Sequence, residues 1–157
     1  MRILLAVLAA LSLPVSAQEA ASLFATDASQ DKLVAVKGVV TGSPESVAFT
    51  GNAVVKSRLA PDPDFNRPRL VLTIDLTALS GVGSMTGAKY VISGPELTQR
   101  HVAASHTLEF TFPFKSTRAP SAETARTGVA SFVLDFNTST GAVTGASGNV
   151  TSPNFPR

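Results

Sequence analysis

The 157-residue chain has no cysteine, no tryptophan, one tyrosine and only two histidines. The absence of cysteine excludes a disulfide framework, a thiolate metal site and a cysteine nucleophile. With only His101 and His106 available, a zinc site would have to complete its shell with carboxylates. Charge is also scarce, at 15% of residues. Beyond residue 17 there are twelve basic and eleven acidic side chains, so the composition lacks the basic surplus of a nucleic-acid binder, and no nucleic-acid partner is expected. Downstream of the N-terminus no apolar run approaches the ~18 residues needed for a membrane-spanning helix.

The N-terminus itself carries Met1-Arg2, then an apolar stretch from Ile3 to Leu13, then Pro14-Val15-Ser16-Ala17 before the polar Gln18-Glu19. That order of charge, apolar run and small residues is the order of a secretory signal peptide. The expected organisation is a leader over 1–17, a polar lead over 18–32 and one β domain over 33–157, located in the periplasm or secreted. A mature chain of this size is long enough to stabilise a single core without a staple.

What fills that domain is period-two alternation. Val47, Phe49, Ala53, Val55 and Leu59 fall at odd positions, with Thr50, Asn52, Lys56 and Arg58 between them. Leu70, Leu72, Ile74 and Leu76 repeat the pattern, as do Leu108, Phe110, Phe112 and Phe114, and then Phe132, Leu134 and Phe136. Each such run is a strand with one wet face. Pro113 marks an edge or a strand end within the aromatic run. Weaker candidates are Leu33–Thr41, Lys89–Ser93, Ala142–Val150 and His101–Ser105, the last read as a forward extension of the aromatic strand. Asn137-Thr138-Ser139-Thr140-Gly141 reads as a hairpin turn. Gly38-Val39-Val40-Thr41-Gly42 is echoed by Gly141-Ala142-Val143-Thr144-Gly145, so the first and last strands are candidates to lie together and close the sheet. About seven or eight short strands predict an all-β fold, a single antiparallel sandwich with a small closed barrel as the alternative. An outer-membrane barrel is disfavoured, because aromatic girdles are missing and the faces opposite the apolar stripes carry Lys, Arg, Asp and Glu.

The motifs that could carry chemistry are incomplete. Asp62-Pro63-Asp64-Phe65-Asn66 opens like a calcium loop, but Arg67 stands where the glycine belongs and Thr73 where the bidentate Glu belongs; it reads as a turn. Gly81 to Gly87 lacks the lysine of a phosphate-binding loop and reads as a flexible connection, although backbone N–H groups in such a loop can cradle an anion. His101 and His106, five apart in an extended segment, should point to opposite faces, with His106 more buried and bonded to backbone. Glu109 and Asp135 lie on wet faces. Asn137 and Asn149 sit in glycosylation acceptor patterns, relevant only in a eukaryotic host.

The remaining feature is a basic cluster. Lys56 and Arg58 enter the turn at Asp62, Arg67 lies in it and Arg69 leaves it, so a hairpin would gather all four. The expectation is a non-catalytic binding or structural module without a metal or organic cofactor, whose partner is an anionic glycan, a lipid head group or an acidic protein surface. The alternatives are a small hydrolase or isomerase using His101 or His106, and a lipocalin-like carrier of an apolar ligand. Export predicts that the intact mass of the protein recovered outside the cytoplasm corresponds to a chain beginning at Gln18; full-length protein retained in the membrane fraction would contradict it.

Overall fold

A strand with one apolar face must lay that face against another, and here the strands do so by closing on themselves. The computed structural model describes residues 31–65, 67–118 and 125–154, and among these are nine strands and no helix. They are β1 (Lys32–Val40), β2 (Val47–Asp62), β3 (Arg67–Asp75), β4 (Ser80–Gly83), β5 (Lys89–Ile92), β6 (Pro95–His101), β7 (Ser105–Ser116), β8 (Arg126–Phe136) and β9 (Val143–Thr151). Seven of them form a closed barrel in the order β1-β9-β8-β7-β5-β4-β2, with β2 pairing back to β1. The all-β expectation holds, and the architecture is the closed barrel rather than the favoured sandwich. β1 makes the difference, because it pairs with β2 along one edge and with β9 along the other. The expected leader at 1–17 lies outside the described residues.

The first and last strands do lie together, as the glycine echo implied. They meet as the one parallel junction among the described residues, Val36 to Gly38 against Gly148 to Val150. Gly38 is required there, since a side chain would run into the backbone of Val150.

At 16 residues, β2 is too long for one neighbour. Along the edge away from β1, Val47–Thr50 pairs with β4 and Val54–Asp62 pairs with β3. β3 in turn carries β6 on its far side. The result is a barrel from which a β2-β3-β6 ribbon diverges. On the other side of the barrel β5 pairs with β7 through Phe114–Ser116, and the ladder stops at Pro113, which has no N–H to offer.

The interior is filled by the alternating residues. Phe49, Phe114 and Phe132 are almost fully buried with Leu70, Leu72, Ile74 and Leu134. Phe49 meets Phe112 and Phe114 edge to face at 5.8 and 5.0 Å between centroids, an arrangement that matches ring edges to ring faces. Several rings lie over glycines of facing strands, Phe132 over Gly148 and Phe112 over Gly128. The barrel is also apolar inside with Lys37, Lys56, Arg58, Glu109 and Asp135 on outward faces, the inverse of a barrel immersed in lipid. Among the described residues no helix is long and apolar enough to cross a membrane.

Two strands escaped the periodicity analysis. β4, Ser-Gly-Val-Gly, has no apolar alternation because two of its four inward or outward positions are glycines. β6, Pro-Glu-Leu-Thr-Gln-Arg-His, is exposed on both faces and so has no wet and dry side to alternate between. His101 ends β6 and does not begin an extension of β7; Val102 to Ala104 turn the chain between them. Truncating Phe132, which is almost fully buried, to Ala should cost about 3–5 kcal/mol in stability, read as a lowered urea midpoint with unchanged strand content.

Candidate anion-binding cleft

The β2–β3 register places the four basic residues of the expected cluster on one face. Lys56 faces Thr73, Arg58 faces Val71, Arg69 faces Ala60 and Arg67 faces Asp62; residues directly opposed share a face, so Arg58 and Arg69 are diagonal neighbours. The turn at the tip is the expected Asp/Pro turn, with the Asp64 amide donating to Asp62 Oδ1 at 3.0 Å.

The cluster is not uniform. Lys56 is engaged, its Nζ 3.1 Å from Asp31 Oδ2, with both side chains about half exposed. Asp75 is close enough for Lys56 to contribute to holding its carboxyl below the usual range, although the Thr77 hydroxyl and amide are the larger causes. Lys56 and Arg58 border a small pocket of about 140 Å³ with Val71 and Thr73.

Arg67 and Arg69 instead line an open cleft of about 840 Å³ where the hairpin tip approaches the end of β6. Its other walls bring in Arg100, His101 and Phe65, with Asp62 as its carboxylate. His101 stands directly across from Arg69 in the β3–β6 ladder. Arg69 Nε is buried without a hydrogen-bond partner among the described residues, an arrangement that costs desolvation energy unless something accepts from it. Phe65 is 74% exposed beside these guanidinium groups.

Arg100 and His101 were not part of the cluster read from the sequence. They reach it only because β6 adds to β3, and their polar run carries no alternation that would have announced a strand.

The histidines do not face apart, as strand parity implied. The turn at 102–104 brings the rings into edge contact at 5.0 Å, and His106 Nε2–H donates to the His101 carbonyl at 2.9 Å. The expected difference in burial and the backbone hydrogen bond are both found: His106 is half-buried against Phe136 and His101 is exposed. Among the described residues no three His, Asp or Glu side chains gather as a metal site would require.

Comparison with family models, curated proteins and solved structures finds no match to this chain.

A second polar centre sits at the opposite end of the wall, where the sequence reading was a flexible connection and Glu45 was not singled out. The glycine-rich segment after β4 is an anion cradle, and its anion is the protein's own Glu45. The amides of Met85 and Thr86 donate to Glu45 Oε2 at 2.8 and 2.9 Å. The Thr86 hydroxyl donates to Oε1 at 2.6 Å and the Tyr90 hydroxyl at 3.2 Å. Gly83 must be glycine, since a Cβ there would overlap the carboxylate. Glu45 is only 5% exposed, yet the Thr86 hydrogen bonds above all lower its pKa from 4.5 to about 2. Burial and the Glu45 carboxylate push the Tyr90 phenol up. Arg126 fastens the same corner, donating to the Glu45 carbonyl at 2.7 Å while its guanidinium lies 5.1 Å from the Phe114 ring centre.

Because Glu45 titrates lower when folded, its contribution is complete above pH 4.5 and disappears as pH falls toward 2. Glu45→Gln should therefore lower the melting temperature at pH 7 and reduce the loss of stability on acidification through that window; equal acid profiles for the two proteins would count against the cradle. Replacing His106 with Ala should lower the unfolding midpoint more than replacing His101.

Proposed function

We propose that the protein is an exported, non-catalytic binding module, acting in the periplasm or after secretion, that holds an anionic glycan in the cleft between the β2–β3 turn and β6. The observation that carries this reading is Arg69, a guanidinium in the cleft wall with a buried, unpartnered Nε. Arg67, Arg100 and His101 surround it. Guanidinium groups bind carboxylate and sulfate through paired N–H donors in a fixed fork. Phe65 adds an exposed ring, against which the apolar face of a sugar can lie while its acid group meets the arginines. The module needs neither metal nor organic cofactor for this task. A lipid head group would use the same charges without needing the ring-and-guanidinium cleft.

The test is titration with an oligogalacturonate and with a heparin oligosaccharide, beside phosphatidylglycerol vesicles. Binding should appear at low ionic strength and fade with salt. Arg69→Ser and Arg67→Ser should each weaken glycan binding about tenfold, whereas Lys56→Ser, whose ammonium already has Asp31, should change it little. Absence of glycan binding at low salt, indifference to Arg69, or binding only to the vesicles would overturn the proposal.

A further inference from the structure

β6 ends the sheet. It pairs with β3 along one edge, and among the described residues nothing pairs with the other. Both of its faces are exposed apart from a half-buried Thr98, and Leu97 is 62% exposed. A strand in this position presents a row of unsatisfied backbone donors and acceptors, which proteins ordinarily protect with charge or proline. Pro95 stands at the first position of the strand, where it leaves the remaining backbone free to pair. The charges, Glu96 and Arg100, have opposite signs and lie equally far from Thr98.

That symmetry makes the strand complementary to itself. If a second β6 aligns antiparallel about a twofold axis at Thr98, each Glu96 stands opposite the other copy's Arg100. Leu97 then stands opposite Gln99 and Thr98 opposite Thr98. Glu96, Thr98 and Arg100 all project from one face, as alternation requires. Sliding the register by two residues in either direction leaves both charges without a partner: Glu96 would face Thr98 or Val102, and Arg100 would face Gly94 or Thr98. The same two charges that protect the edge in other alignments therefore favour this one. Opposite-charge pairs across neighbouring antiparallel strands stabilise the pairing, and like charges disfavour it.

We infer that the protein forms a homodimer through antiparallel pairing of β6 with β6 about Thr98, joining two barrels through one continuous sheet. The twofold axis is perpendicular to the sheet, so the faces bearing Arg69 and His101 lie on the same side in both copies. The inference does not rest on the glycan proposal: Arg100 also borders the cleft, but Glu96 and Thr98 do not, so the Glu96 and Thr98 variants test the dimer without altering the cleft.

Sedimentation of the full mature chain should show a concentration-dependent dimer. Glu96→Arg and Arg100→Glu, each at an exposed position, should weaken association by about tenfold or more. Combining the two swaps should restore it, which a general loss of folding would not do. Oxidation of the Thr98→Cys variant, in a chain with no other cysteine, should link two copies covalently. A chain that stays monomeric at roughly 100 µM, a concentration at which even weak dimers are populated, would overturn the inference and leave β6 to a strand of a different protein. Failure of the double swap to recover the dimer would overturn the register, and with it the inference.

Discussion

The constraint on which the rest of this structure depends is the length of β2. A strand of 16 residues outruns every neighbour, so its second edge has to be divided between β4 and β3. Where β4 takes it, the wall continues through β5 to β7 and the barrel closes. Where β3 takes it, the sheet diverges with β6 at its margin. The basic cleft lies on that diverging branch because the branch holds polar backbone and charged side chains that a closed, apolar barrel interior could not solvate. Barrel and ribbon are thus two outcomes of one pairing conflict.

The barrel side of the division is held by Glu45. β4 is only four residues long and glycine-rich, with little side chain to bury. Its turn is instead held by a carboxylate that satisfies two backbone amides and two hydroxyls at once, while Arg126 ties the β1–β2 connection that carries Glu45 to β8. A short strand of weak propensity persists because charge-assisted hydrogen bonds, individually stronger than neutral ones, replace the packing it lacks. Ser57 has a comparable role at the other end of β2, where its buried hydroxyl donates to the Gly141 carbonyl at 2.7 Å and joins β2 to the β8–β9 turn.

Arg69 in the cleft differs in kind from the lysine that shared its cluster in sequence. Lys56 has an acidic partner at its side, and its long flexible stem lets it reach that partner. Arg69 is pinned between two strands, with part of its guanidinium out of water and unpaired. Grouping by sequence proximity treats these as equals, whereas the local surroundings separate a solvated ion pair from a preorganised donor.

Alternation of apolar residues in β2, β3, β7 and β8 was sufficient to establish an all-β chain and to assign which residues enter the core, since side-chain direction in a strand follows from parity alone; the sharing of one face by Lys56, Arg58, Arg67 and Arg69 needed the β2–β3 register as well. The Asp62 and Asn137 turns were legible for a similarly local reason, their side chains bonding to amides two or three residues away. Barrel closure, the existence of β4 and β6, the meeting of His101 with His106 and the capture of Glu45 by the Gly83–Thr86 turn were not legible. Each depends on a contact between segments distant in the chain or on a chain reversal without a pattern: β1 with β9, β3 with β6, Val102 to Ala104, and Glu45 with a loop some 40 residues later. Parity tells a strand which way its side chains point, but it carries no information about which edge finds which partner, and only the folded sheet decides that.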